Sequence, residues 1–168
     1  MPVSRILRTD RFCIREIREG DRGAFLDCHA DPRFAAFHRD EERRPGHLSS
    51  VFDLFLTWQA ETPRRNFQFA IAPLDAPEGY AGNVGLRMAG LPPGEGELGI
   101  ELIPAWWRRG VGTEVLRVIL PWARDTHAID TFIADTAPGN LAAERLAGAA
   151  GLRVVTQDGK RHWRSVPE

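Results

Sequence analysis

Apolar and polar positions alternate along this chain in short runs of two different periods. Phe12 to Ile17 alternate residue by residue and predict a first strand. Asp21 then reads as the N-cap of a helix through Phe25, Leu26 and His29. Asp31-Pro32 restarts a helix, with aspartate capping and proline in the first turn, and Phe34, Ala35 and Phe37 form its expected buried stripe. His38 to Gly46 is dense in charge and reads as an exposed loop. Ser49 or Ser50 caps the next helix, which carries Val51, Leu54, Phe55 and Trp58 and closes near Thr62-Pro63.

Period 2 returns from Asn66 to Ala72 and again from Tyr80 to Arg87, where Gly82, Asn83 and Gly85 weaken the strand. Glycine inside a strand marks a bulge or a close backbone approach. After Leu91-Pro92-Pro93-Gly94, the residues Leu98, Ile100 and Leu102 alternate against Glu97, Gly99 and Glu101. Three consecutive strands with short links predict an antiparallel meander. From Gly110 the spacing turns helical at Val111, Val115, Val118, Ile119 and Trp122, with Pro121 expected to kink or end the helix near Leu120. Ala128 to Ala134 reads as a strand, parallel to the Glu97 strand because a helix connects them. A turn at Pro138-Gly139-Asn140 precedes a helix through Leu141, Leu146 and Ala149 that ends at Gly151. Leu152–Thr156 and Lys160–Val166 form a hairpin around Asp158-Gly159.

Composition adds bounds. With 168 residues, 43% of them hydrophobic, and a net charge of −1, residues 1–168 are expected to form a single domain without an extended nucleic-acid face. Cys13 and Cys28 have neither metal spacing nor a disulfide pattern, so no metal is expected. Arg5, Arg8, Asp10 and Arg11 argue against a signal peptide, and no apolar run approaches the roughly 20 residues of a membrane span. A cytoplasmic location, with no membrane partner, is the expectation.

The segment Glu97 to Thr113 therefore reads as strand, basic glycine loop, helix. Unpaired N–H groups at a helix start and the helix dipole attract an anion. Gly110 and Gly112 permit close approach, Arg108 and Arg109 add charge, and Thr113 adds a hydroxyl, which together describe a phosphate or pyrophosphate site. No lysine follows Gly112, as a Walker loop needs, and position 115 is valine rather than the third glycine of a dinucleotide fingerprint.

Arg108-Arg109-Gly110-Val111-Gly112-Thr113 resembles instead the acetyl-CoA pyrophosphate loop of the GNAT N-acetyltransferase superfamily. The longer run from Glu97-Leu98-Gly99 through Trp107 to Thr113-Glu114 is most similar to the ribosomal-protein-alanine (Rim-type) branch. Asn140-Leu141-Ala142-Ala143, with Gly151 after the helix, is similar to the family's Asn-x-x-Ser…Leu-Gly-Phe segment. Thr9-Asp10-Arg11-Phe12 resembles the Thr-x-Arg-Leu start of that branch. The resemblance implies an α+β, αβα layered fold whose mixed, mostly antiparallel sheet has a central parallel strand pair splaying apart beyond Ile103. It also implies four strands between the early helices and the loop helix.

By the same resemblance, Glu101, Leu102 and Ile103 lie along pantetheine. Arg108, Arg109, Gly110, Val111, Gly112 and Thr113 take the pyrophosphate, and Asn140 and Arg145 lie across the cofactor. The implied partners are acetyl-CoA and an amine acceptor, either a protein α-amino group or a small molecule, which attacks the thioester without an acyl-enzyme. Backbone N–H groups near Leu102 would stabilise the developing oxyanion. Such an amine must first lose a proton, since its reference pKa is near 8 or 10.4. Glu97 and Glu101 share strand parity and are the candidate bases, or equally two solvent-facing acids. Asp135 reads as a turn residue, His127 as a surface residue, and Cys28 as a core or surface cysteine.

The chain departs from the family where a Ser at 143 or a Tyr near 147 would protonate the leaving thiolate. It has Ala143 and Ala147, so the proton comes from water or Tyr80, or is dispensable, or the protein is a non-catalytic CoA-binding sensor or scaffold. The acceptor walls are expected at Phe34 to Leu54 and Gln157 to Trp163, whose mixed charges select no particular amine. Trp163 lines either the acceptor site or a homodimer contact.

Overall fold

β2 (Phe12–Glu16) and β3 (Asn66–Pro73) lie near one end of an eight-stranded sheet, in a computed structural model that describes residues 5–166. With β1 (Arg5–Arg8), β4 (Gly82–Arg87), β5 (Glu95–Leu102), β6 (Thr131–Thr136), β7 (Leu152–Gln157) and β8 (Arg161–Ser165), the spatial order is β1-β2-β3-β4-β5-β6-β8-β7. Every pairing is antiparallel except β5 with β6. Three strands, not four, separate the early helices from the loop helix. The extra strand is β1, which pattern alone misses because its Ile6 and Leu7 are adjacent and do not alternate.

Side-chain parity divides the core into two layers. Phe67, Phe69 and Ile71 of β3 and Val84 and Leu86 of β4 pack with Val111, Val115, Ile119 and Ala123 of α4 (Val111–His127) and Ala147 of α5 (Leu141–Ala149). Ala70, on the opposite face of β3, packs with Phe25 of α1 (Arg22–Ala30) and Leu48, Phe52 and Phe55 of α3 (Pro45–Trp58). The result is the αβα arrangement, with α1 to α3 on one face of the sheet and α4 and α5 on the other.

Five expectations change. The helix expected from Ser49 or Ser50 starts at Pro45, because proline's fixed φ suits a first turn, and Ser50 Oγ donates to the Gly46 carbonyl inside the helix. Its inward stripe uses Phe52 rather than Leu54, which is 50% exposed. Phe37 lies beyond α2 (Pro32–Ala35) and is 39% exposed, outside the predicted buried stripe. The helix at Gly110 runs through Pro121 to His127. Pro121 is on the exposed face, as is Arg117, whose carbonyl would have met the missing N–H, so the lost bond falls on the solvent side of the helix. β6 begins at Thr131, three residues after the predicted start, because Ala128 takes a left-handed conformation that closes α4.

Asp21 starts α1 without capping it through its side chain. It is buried against Arg15 of β2, which is 0% exposed. Arg15 Nη1 and Nη2 each donate to an Asp21 oxygen at 2.8 Å. The remaining donors reach the carbonyls of Pro77 at 2.8 Å, Gly79 at 2.7 Å and Glu16 at 3.0 Å. All five N–H groups are satisfied, so one guanidinium fastens the segment before β4 to β2 and to the start of α1. Burial works against its charge, but Asp21 outweighs burial and the guanidinium pKa is raised.

Removing one partner of a buried pair leaves the other charge uncompensated. Asp21→Ala is expected to destabilise the fold by about 3–5 kcal/mol, read as a lower urea midpoint in tryptophan fluorescence.

Candidate active site

β5 and β6 pair over three positions, Glu95 with Thr131 through Glu97 with Ile133. Beyond them β5 stays with β4 as far as Leu102, and β6 stays with β8 as far as Thr136. The twist between neighbouring strands then carries the two antiparallel pairs apart. The splay therefore begins after Glu97 rather than beyond Ile103, because each strand keeps its better-bonded partner. The Gly94 carbonyl accepts from Asp130 and Thr131 N–H groups on the β6 side. By strand alternation, Leu98, Ile100 and Leu102 present their backbone groups to the gap. Ile103 faces the other way, its N–H donating to the Ala81 carbonyl at 2.9 Å. The Leu102 carbonyl accepts from Trp107 Nε1 at 2.8 Å.

A short turn at Pro104–Trp106 leads to the glycine loop. Arg108 (φ 58°) and Gly110 (φ 73°) are both left-handed, a curl that gathers backbone N–H groups around a concavity. No side chain caps the first turn of α4, so the N–H groups at 111 to 113 remain available to an anion. At Gly110 the conformation demands glycine, since a Cβ there would meet only Arg11 Nη2 at 4.0 Å. Gly112 is different. A Cβ there would stand 2.9 Å from Leu146 Cδ2, so this glycine lets α4 and α5 approach.

The loop is held from the far end of the chain. Arg11 Nη2 donates to the Arg109 carbonyl at 2.7 Å, and Arg11 Nε donates to Glu114 Oε2 at 2.7 Å. Thr9 Oγ1 and the Arg11 N–H both donate to Glu114 Oε1, at 2.7 and 2.9 Å. Burial would raise the Glu114 carboxyl, but these donors outweigh it and hold its pKa below the ordinary value. The Arg109 guanidinium lies over the Trp106 ring at 5.3 Å. Arg108 and Thr113 are exposed, and Val111 is buried in the core. Asn140 caps α5, its Oδ1 accepting from the Ala143 N–H at 3.2 Å, while Arg145 is exposed on the same helix.

On the opposite face of β5, Glu101 is the centre of a polar network. Its Oε2 is 3.0 Å from His29 Nε2 and accepts from Asn83 Nδ2 at 3.2 Å. Asn83 Nδ2 also donates to Tyr80 Oη at 2.7 Å, and Gln68 Nε2 donates to Asn83 Oδ1 at 2.6 Å. Gly85 makes room for this chain, because a Cβ there would lie 2.3 Å from Gln68 Oε1. Burial would raise Glu101, but the hydrogen bonds from His29 and Asn83 work against it and the carboxyl's pKa is lowered. Glu97, four residues and roughly 13 Å back along the strand, is paired with Arg87 Nη1 at 2.8 Å.

An acetyltransferase (GNAT) domain model matches residues 11–153. The chain belongs to the GNAT acetyltransferase family. It is 24% identical over 149 residues to the uncharacterized N-acetyltransferase YoaA of Bacillus subtilis (strain 168), covering 88% of this chain and 82% of that protein. Its fold is similar to that of an acetyltransferase from Agrobacterium tumefaciens str. C58, with a TM-score of 0.75 and 22% identity over 99% of this chain and 95% of that one. It is likewise similar to the ribosomal-protein-S5-alanine acetyltransferase of Vibrio fischeri, with a TM-score of 0.70 and 13% identity over 96% of each chain.

The GNAT protein is thus an acetyl-CoA-dependent N-acetyltransferase, and its residues fit that cosubstrate. The left-handed loop and uncapped α4 suit a pyrophosphate, and the open β5 edge suits the amide-bearing pantetheine arm. No helix among the described residues is long and apolar enough to cross a membrane.

The two predicted acceptor walls meet. A cleft of about 490 Å³ is lined by Phe37, His38, Arg39 and Glu42 on one side and by Asp158 and Lys160 of the hairpin on the other. Trp163 is neither an acceptor wall nor a surface contact. It is buried, with Nε1 donating to Thr136 Oγ1 at 2.9 Å, because its strand position points into the α4–α5 layer. His127, expected at the surface, is half-buried between the rings of Phe67 and Trp122, and burial lowers its pKa. Asp135 is in β6 rather than a turn and bonds His162 Nδ1 at 2.6 Å.

Cys28 lies near the gap, with Sγ 3.9 Å from the Leu102 carbonyl. Burial, helped by the charge of Glu101, pushes its thiol up to about 12, so it stays protonated and is no nucleophile at neutral pH. His29, Asn83 and Gln68 were not legible as site residues. The only signal in the sequence is that His29 lies one helical turn beyond Phe25, on the face that α1 buries.

Two predictions follow from the loop and the hairpin. Gly112→Val drives a side chain into Leu146 and is expected to cost about 1–3 kcal/mol. Adding Leu146→Ala, which removes the clash, should recover most of the melting temperature. His162 Nε2 also meets Asp158 Oδ1 at 2.5 Å, and its bonds to Asp158 and Asp135 raise its pKa above 6.5. A raised folded-state value means that the latch stabilises fully below about pH 6.5 and fades as pH rises through the raised value. The melting temperature of the wild type should therefore fall more between about pH 6 and pH 9 than that of His162→Gln.

Proposed function

We propose that this acetyltransferase acetylates a primary amine, a protein α-amino group or a small-molecule amine, bound in the cleft between the segment after α2 and the β7–β8 hairpin. The observation that carries this reading is the environment of Glu101. One carboxylate oxygen is held by two donors, and the other, Oε1, bonds nothing among the described residues. A carboxylate kept ionised and half-exposed at 32% beside the opened strand pair is suited to take a proton from an incoming ammonium.

Acetyl-CoA supplies the activated acetyl group. Arg108, Arg109 and the N–H groups of Gly110 to Thr113 hold its pyrophosphate, and the Leu98, Ile100 and Leu102 backbone groups hold the pantetheine arm. Glu101 removes the amine proton, and nitrogen keeps the lone pair needed for direct attack. Tyr80, whose Oη accepts from Asn83 in the same network, keeps its proton, because burial and the nearby Glu101 charge raise its pKa well above the ordinary value. Ala143 and Ala147 offer no proton donor from α5.

Thiol release from acetyl-CoA in the presence of an N-terminal alanine peptide, spermidine or an aminoglycoside identifies the acceptor class, and no release above background with any of these amines counts against the reading. With the best acceptor, Glu101→Gln should lower kcat about 100- to 1,000-fold and leave CoA affinity unchanged. Glu97→Gln, which touches only the Arg87 pair, should stay within about twofold of wild type.

A further inference from the structure

His29 is 6% exposed, at the inner end of α1, with its ring packed on Phe25 at 4.6 Å and Phe34 at 4.7 Å. Its Nδ1 is buried and bonds no group among the described residues. A neutral imidazole has one donor and one acceptor nitrogen, and a carboxylate can only accept. Nε2 therefore carries the hydrogen toward Glu101 Oε2, and the unpartnered Nδ1 is a lone pair, which is cheaper to bury than an unanswered N–H. Beyond His29 stands His38, whose ring is 5.5 Å away and which lines the acceptor cleft. His29 thus bridges the carboxylate and the cleft wall from inside the apolar layer.

We propose that His29 is a positioning residue which, with Asn83, pins Oε2 of Glu101 so that Oε1 is left to take the acceptor's proton. The inference rests on the reading of Glu101 as the base. In the step it supports, an N–H bond of the ammonium breaks, an O–H bond forms on Oε1, and nitrogen keeps the electron pair. Asn83 supplies one N–H to Oε2, its other N–H going to Tyr80, so the second bond that holds Oε2 comes from His29. His29 also offsets the burial that would otherwise favour a protonated Glu101. Of the other titratable neighbours, His38 acts on Glu101 in the same direction as His29, and Cys28 and Tyr80 keep their protons at neutral pH.

The test compares His29→Leu, His29→Gln and His29→Asn in the full chain, using acetyl-CoA and whichever amine of the panel gives the fastest thiol release. Gln places an amide N–H near the position of Nε2, whereas Asn does not reach it. His29→Leu and His29→Asn are expected to lose about 10- to 100-fold in kcat, with KM for acetyl-CoA unchanged and the acid limb of the pH profile moved to higher pH. His29→Gln should recover most of the loss. Equal kcat in all three variants, or a loss in KM for acetyl-CoA instead, overturns the proposal. The carboxyl carbon of Glu101, titrated by NMR without substrate, gives a second readout. An upward shift in His29→Asn that His29→Gln reverses supports the coupling even if no panel amine is acetylated, and no shift in either variant refutes it.

Discussion

Two neighbouring strands that stop sharing hydrogen bonds after three residues set the terms for everything else in this molecule. A parallel pair inside a sheet normally leaves no backbone group unpaired, and an unpaired one needs a partner. Here β5 and β6 separate after Glu97 and Ile133, so an interior strand acquires an edge without lying at the margin of the sheet. The edge is usable because the other three sides are rigid. β4 holds β5 in register to Leu102, Leu98, Ile100 and Leu102 pack, partly buried, against the core layer that includes α4, and on the other side the Glu101 network reaches His29 of α1.

That arrangement sorts the two ends of a bipartite ligand by physics. In the proposed site the phosphate end would meet backbone dipoles, left-handed residues and arginines at the start of α4, which needs charge and close approach but little side-chain precision. The reacting end would meet Glu101, whose orientation is set by a chain of buried donors running from Gln68 through Asn83. Alternation along β5 separates the two tasks. Even-numbered residues give their backbone to the gap and their side chains to the α4 core, and odd-numbered Glu97 and Glu101 face the α1 layer.

Period and punctuation made most strands and the loop helix legible, and the residue types of Arg108 to Thr113 were enough to propose a phosphate site there. What the pattern could not convey was long-range. Pro121 looked like a helix end because a one-dimensional reading cannot tell an exposed carbonyl from a buried one. Trp163 looked available for contact because its burial depends on Thr136 and on α5. Glu97 and Glu101 were equivalent by parity. Only the fold distinguishes the one beside Arg87 from the one beside His29, a residue 72 positions earlier.

The same kind of remoteness governs the cofactor loop. Glu114 is tied to Arg11 across 103 positions of sequence, so a few residues near the amino terminus act as the outer rim of a nucleotide cradle that is otherwise encoded past the middle of the chain. Trimming or fusing the protein near Thr9 therefore reaches into the cradle's shape. A shortened version that melts normally is still an unsafe stand-in for the native binder.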